Sequence, residues 1–336
     1  GGLDISEGLV QVGKRDTIRV LTAQATIDGT LPVAVEQVAG IPYVPERVAS
    51  ELRDLTVDGR VRGYFDLSIP IKGASKIPTI STRVEVSEAT VSVPTPPITL
   101  ERVKGEFVYE YPRGIADGSL AAGFENQDIL LDLDLDANDL GLSQKGFSIA
   151  TSARLGGADV NRLLGVTVPD GLLEGSSAFD IVFQAGRGVA LNVTSDLDGL
   201  AVGLPLPFNK SPEQSESLEI DLRISDALSI DATYSNNLSL SIAQDTENAW
   251  RALASIGEVR SELTLDDVDA GTAVISGRLQ ELDISAWADT RARFSSGGNP
   301  GLPAIVWRDF SVDKLALGET DFGAFSSTGK YEGELT

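Results

Sequence analysis

The chain contains no cysteine, no histidine and no methionine. Without cysteine there is no disulfide framework, no thiolate nucleophile and no cysteine-ligated zinc, a composition that suits a periplasmic or extracellular setting. Without histidine, the commonest general base and metal ligand and every Ser-His-Asp arrangement are excluded. A chain without methionine does not start at its own initiation codon, so an interior fragment of a longer protein, or a processed product, is expected. Aromatic residues make up only 6%, so the apolar surface is mainly aliphatic. No apolar run approaches the roughly 20 residues that cross a bilayer as a helix. No signal peptide is recognisable, and any membrane anchor is expected outside these residues.

Hydrophobic residues account for 42% of the 336 positions, enough for a core and too many for a disordered chain. The formal net charge is −23. An acidic surface of that size repels phosphate backbones, which argues against nucleic acid as a partner.

The dominant pattern is alternation with period two. In the stretch from Phe179 to Lys210, Phe179, Ile181 and Phe183 alternate with Asp180, Val182 and Gln184. A Gly186-Arg187-Gly188 turn follows, and then Val189, Leu191 and Val193 alternate with Ala190, Asn192 and Thr194. This reads as an antiparallel hairpin with one apolar face. The segment Leu204-Pro205-Leu206-Pro207 ends the ladder, because proline fixes φ and removes a donor. The cleanest alternation is Ile129 to Asp136, which sets Leu131, Leu133 and Leu135 against three aspartates. Phe147 and Ile149 continue it, and Ile220, Leu222, Ile230, Leu238 and Leu240 repeat it further on.

Helices are few. Glu46–Leu52 and Asp159–Gly165 are expected as short helices, and Asn248–Ile256 as the strongest, with Trp250, Leu253 and Ala254 on one side. Roughly twenty to twenty-five strands at about 10 to 13 residues spacing form the signature of an all-β meander. Internal echoes such as Leu52–Val61 against Leu100–Phe107 favour one continuous repeating architecture over residues 1–336.

No constellation carries catalysis. Asp132, Asp134 and Asp136 lie about 7 Å apart along one strand face, too far to share a cation, and read as a solvated surface. Asp266-Asp267-Val268-Asp269 lacks the EF-hand spacing. Gly156-Gly157 and Gly297-Gly298 lack a following Gly-Lys-Ser/Thr and form no phosphate loop. Nothing marks a buried carboxylate pair among the 50 acids. Trp250, Trp287 and Trp307 read as packing anchors. The expectation is a non-enzymatic protein without cofactor or metal.

The segment Ser195 to Lys210, with its Leu204-Pro205-Leu206-Pro207-Phe208-Asn209-Lys210 run, resembles the AsmA-like envelope proteins of the YhdP type. Leu279–Trp287, Asp159–Gly165 followed by Gly171–Gly175, and Pro42–Pro45 through Gly59–Gly63 are similar to further segments of that family. The resemblance implies a repeating β-groove: a long curled antiparallel sheet, or half-pipe, with a few short helices. It also implies a periplasmic section of an inner-membrane-anchored protein of a Gram-negative cell. Glycerophospholipid would pass along it toward the outer membrane and its permeability barrier, with both membranes as partners through parts outside this chain. The residues expected to touch acyl chains are Leu131, Leu133, Leu135, Phe147, Ile149, Ile181, Phe183, Leu191, Val193, Ile220, Leu222, Ile230, Leu238 and Leu240. The pattern leaves open an extracellular or periplasmic β scaffold or adhesin with a closed core that binds protein or glycan. A carbohydrate-active β enzyme is a third reading. They divide on whether the aliphatic stripe meets another sheet or stays open.

Overall fold

The computed structural model of the chain describes residues 2–15, 18–40, 46–72, 79–94, 97–111, 114–134, 147–164, 168–185, 188–225, 227–244, 249–257, 263–294 and 304–331. Its elements follow in chain order: β1 (Asp4–Arg15), β2 (Ile18–Thr30), α1 (Leu31–Ala39), α2 (Glu46–Asp54), β3 (Thr56–Lys72), β4 (Thr79–Val93), β5 (Ile98–Tyr111), β6 (Gly114–Phe124), β7 (Gln127–Asp134), β8 (Phe147–Gly156) and α3 (Gly157–Leu164). Then come β9 (Leu173–Ala185), β10 (Val189–Ser195), β11 (Leu200–Val202), β12 (Leu218–Ile224), β13 (Leu228–Tyr234), β14 (Leu238–Gln244), β15 (Trp250–Ile256), β16 (Thr272–Asp283), α4 (Ile284–Phe294), β17 (Ala304–Leu317) and β18 (Thr320–Tyr331). The strands belong to one mixed 18-stranded sheet. The all-β expectation with a few short helices is met. Among the described residues there are eighteen strands against the expected twenty or more, because long alternations such as the 17-residue β3 run unbroken. Two compact units divide the chain, Gly1–Ser152 with Val182–Arg187, and Ala153–Ile181 with Gly188–Thr336.

In the first unit, β1 to β7 form a meander in which each strand pairs antiparallel with the next. Register keeps the two faces distinct. One row across the strands reads Ile27, Gly63, Val84, Phe107, Gly118, Leu133, ending at Ile149 of β8. The adjacent row, on the opposite face, reads Asp28, Arg62, Glu85, Glu106, Ser119, Asp132. Successive residues point to opposite sides of the pleat, so the apolar and charged rows never mix. Arg62 Nε donates to Asp28 Oδ1 at 2.7 Å, and Gln24 Nε2 donates to Asp66 Oδ2 at 2.8 Å, on the charged face. At the end where β3 leaves α2 the apolar face is closed: Val86, Ala89, Val103, Ala122 and Ile129 are buried, as are Ala39 of α1 and Ala49 of α2. Gly105 has φ 143°, and a Cβ there would collide with the Ser119 carbonyl of the next strand.

In the second unit β12 to β15 form an antiparallel meander that β10 joins through β12. The expected wholly antiparallel sheet needs correction here, because β15–β16 and β16–β17 are parallel. Parallel neighbours require long crossovers. The first contains the 3-10 turn Leu265–Asp267, held by the Thr264 amide donating to Asp267 Oδ2 at 2.8 Å, and the second contains α4. The helix expected at Asn248–Ile256 is also corrected, since Trp250–Ile256 is strand β15. Its Trp250, Leu253 and Ala254 have helical spacing only because both faces of this strand carry apolar residues. Ala252, Ala254 and Ile256 face one way and Leu253 the other. Leu253 enters a cluster with Val268 and Val274 beneath the first crossover. Pairing with β14 and β16 outweighs local propensity. The expected Glu46–Leu52 and Asp159–Gly165 helices correspond to α2 and α3, while α1 and α4 went unanticipated.

Burial separates layered from unlayered parts. No residue of β12, β13 or β14 is fully buried, on either face. A sheet packed face to face against another would bury one side of these strands. Leu253→Ala is therefore expected to cost about 2–5 kcal/mol, as for other buried leucines. Leu240→Ala, on a half-exposed face, should cost less than about 1.5 kcal/mol. Urea unfolding of the two variants checks this. Equal losses would mean that Leu240 sits in a closed core.

Candidate functional site

The stripe anticipated from alternation assembles on one face of the second unit. Three adjacent rows run across it in register. The first reads Leu191, Leu222, Ile230, Ile242, Ala252, Ala273, Ile305. The second reads Val193, Ile220, Ala232, Leu240, Ala254, Ile275, Trp307. The third reads Ser195, Leu218, Tyr234, Leu238, Ile256, Gly277, Phe310. Not one carries a charge. Gly277 has φ 121°, and a Cβ there would meet the Ile256 carbonyl, so β15 and β16 approach closely only with glycine at this point.

The reverse face is polar along β10 to β14. Its central row is Asn192, Asp221, Asp231, Ser241. Asn192 Nδ2 donates to Asp221 Oδ1 at 3.0 Å and Ser241 Oγ to Asp231 Oδ1 at 2.6 Å. These bonds tie neighbouring strands on the face opposite the stripe, whose first two rows carry no polar side chain from β10 to β15.

Of the residues singled out by sequence, Leu191, Val193, Ile220, Leu222, Ile230, Leu238 and Leu240 are brought together, and all are half-buried. Ile181 and Phe183 are also half-buried on β9. In the first unit Leu133 and Ile149 are paired across β7 and β8. Leu131 and Leu133 are buried and Ile149 is half-buried. Leu135 and the side chain of Phe147 lie outside the described residues. The stripe also contains residues the pattern reading passed over, including Ile242, Ala252, Ala254 and Ile275. Period two was there to find them, but reading Asn248–Ile256 as a helix hid the β15 members.

One end of the face is closed by the chain itself. After β11 pairs with the start of β9, residues 203–210 form a strap anchored by mutual bonds between the backbones of Val202 and Lys210, at 2.9 and 3.0 Å. Pro205 and Pro207 lie within it, and the Leu206–Pro207 peptide is cis. Lys210, 3% exposed, directs its ammonium back into the strap and donates to the carbonyls of Leu200 at 2.7 Å and Ser211 at 3.0 Å. Buried cations need such partners. Leu172, Leu197, Leu200, Val202 and Phe208 are buried around it. The Tyr234 hydroxyl, projecting from the stripe, donates to the Phe208 carbonyl at 3.3 Å. Burial, and then the Glu216 carboxylate, raises the phenol above its ordinary value, so it remains a donor. Trp287 of α4 meets the Phe208 ring edge-on with centroids 5.8 Å apart.

Chemically this arrangement can hold apolar matter and little else. Among the described residues no group of three or more acidic side chains could bind a metal ion. Fold and face together define the class: an all-β protein that presents an in-register aliphatic surface bordered by polar strands. The family described as YhdP protein matches residues 16–333, and the chain belongs to that family. Membership places it with the AsmA-like, envelope-associated proteins of lipid transport, a family not known for enzymes. No curated protein and no solved structure matches the chain. Among the described residues no helix is long and apolar enough to cross a membrane.

If Lys210 holds the strap, Lys210→Met should strand the Leu200 and Ser211 carbonyls. Amide exchange at Val202 and Lys210 should then quicken by about tenfold or more, while β13 and β14 keep their protection. Hydrogen exchange with mass spectrometry checks it.

Proposed function

We propose that this chain conducts glycerophospholipid along its apolar sheet faces, as a periplasmic section of an inner-membrane-anchored path leading toward the outer membrane. Residues 1–336 are taken as one continuous segment of that path. The observation that carries the reading is the aliphatic stripe of β10 and β12–β15, which is aligned across strands and only half-buried.

The energetics favour it. Exposing an acyl chain costs about 0.8 kcal/mol per CH₂, so a two-tailed lipid of about thirty carbons faces roughly 25 kcal/mol against crossing water unaided. Aliphatic walls remove most of that cost and leave the headgroup in solvent. Weak, non-directional contacts let a lipid slide, whereas fixed polar anchors would hold it. An uncharged stripe is of the sliding kind. Family membership supports lipid transport as the activity; the phospholipid substrate, the periplasmic course and the direction are our reading.

A photo-crosslinking residue placed at Leu222, Ile230 or Leu240 in cells should capture phospholipid, and one at Asp231 or Asn192 should not. Lipid extraction and mass spectrometry of the adducts give the answer. Equal capture from both faces would overturn the assignment. Leu240→Asp should lower capture at Ile230 by about tenfold or more, because it places a carboxylate among acyl chains.

A further inference from the structure

The strap and α4 meet at Phe208 and Trp287, and that contact includes a polar group with no partner among the described residues. The indole Nε1 of Trp287 is buried and donates to no acceptor among the described residues. Its ring is held edge-on by Phe208. Phe208 in turn is tied by its carbonyl to Tyr234, which sits in the same row of the stripe as Leu238 and Ile256. A buried N–H without a partner costs about 1–3 kcal/mol relative to one that is bonded, and native folds rarely leave such a group unanswered. Tryptophan in particular usually finds an acceptor for its N–H when its ring is buried. The Tyr234 hydroxyl and the Lys210 ammonium of this closure have theirs. Tyr234 donates to Phe208, and Lys210 donates to Leu200 and Ser211.

We infer that the Trp287 indole N–H is a binding contact for an acceptor oxygen, ester or phosphate, of a phospholipid whose tails lie on the adjoining stripe. This rests on the function proposed above and adds a polar stop to it. From β10 to β15 the first two rows of the stripe carry no side-chain donor to hold a lipid, so a chain on them is free to slide. Where the strap meets α4, an uncharged donor beside the Phe208 ring meets the polar part of the lipid. A neutral N–H selects an oxygen acceptor without requiring net charge. The contact therefore accepts zwitterionic and anionic phospholipids alike and gives nothing to a plain hydrocarbon.

The chain has three tryptophans, so its indole N–H resonances are countable by NMR, and Trp287→Phe identifies one of them. The probe is dioctanoylphosphatidylcholine, with dodecane and inorganic phosphate as separate arms. The Trp287 indole proton should move downfield on addition of the phospholipid and stay in place with phosphate alone or dodecane. Trp287→Phe keeps the ring against Phe208 but removes the donor, and should weaken phospholipid binding by about 3- to 10-fold. Unchanged Trp250 and Trp307 resonances in that variant report an intact fold. If the phospholipid binds the stripe, the Trp287 proton does not move and Trp287→Phe binds as well as the parent, this inference falls while the proposed function stands. An equal shift with inorganic phosphate would make the site one for a free anion and overturn the lipid assignment. If the parent binds no phospholipid at all, both readings fail.

Discussion

Everything in this protein depends on the constraint that a β-strand turns successive side chains to opposite sides while its backbone pairs with a neighbour. One strand with that alternation is only an amphipathic ribbon. When the ladder fixes Leu191 opposite Leu222, Leu222 opposite Ile230 and Ile230 opposite Ile242, the aliphatic sides add into one surface. A slip of one residue anywhere would carry Asp221 or Asp231 onto it. The polar bonds on the reverse face, Asn192 to Asp221 and Ser241 to Asp231, oppose that slip from the solvent side.

A surface built this way has to be finished at its ends, and both units do so with short irregular elements. In the first, α1 and α2 bury small residues, Ala39 and Ala49, beside the closed end of the face. In the second, the proline-bearing strap and α4 perform the same task with aromatics, Phe208 against Trp287. The buried Lys210 shows how such a strap is held without a disulfide. Its ammonium satisfies carbonyls that the interrupted ladder leaves free. A chain without cysteine relies on hydrogen bonding where other envelope proteins use covalent ties.

The alternating segments were legible because their pattern is local. Ile129 to Asp134, Leu218 to Ile224 and Leu228 to Tyr234 are strands where the period-two reading placed them, and Glu46 begins a helix as its spacing suggests. The misreading of Trp250–Ile256 has a specific cause. That strand passes between the open stripe and the cluster of Leu253, Val268 and Val274, so both its faces are apolar and its period is blurred. The parallel pairs β15–β16 and β16–β17 were invisible for a related reason. Strand direction is set by where a crossover lands, which no short-range pattern encodes.

What the sequence determined by itself was the chemistry of the two faces: which residues are aliphatic, which are charged, and that no thiol or imidazole is available for catalysis. It also carried, in Ser195–Lys210 and the other segments that resemble it, the signature of the family whose model matches residues 16–333. Only tertiary structure decided which aliphatic residues are sealed and which remain half-open. Leu133 and Leu240 stand in the same alternating pattern, yet the first is buried and the second is not. The physical reason is that burial depends on what lies across the face, and that is supplied by elements distant in sequence. Phe208 of the strap and Trp287 of α4, far apart in the chain, meet ring to ring.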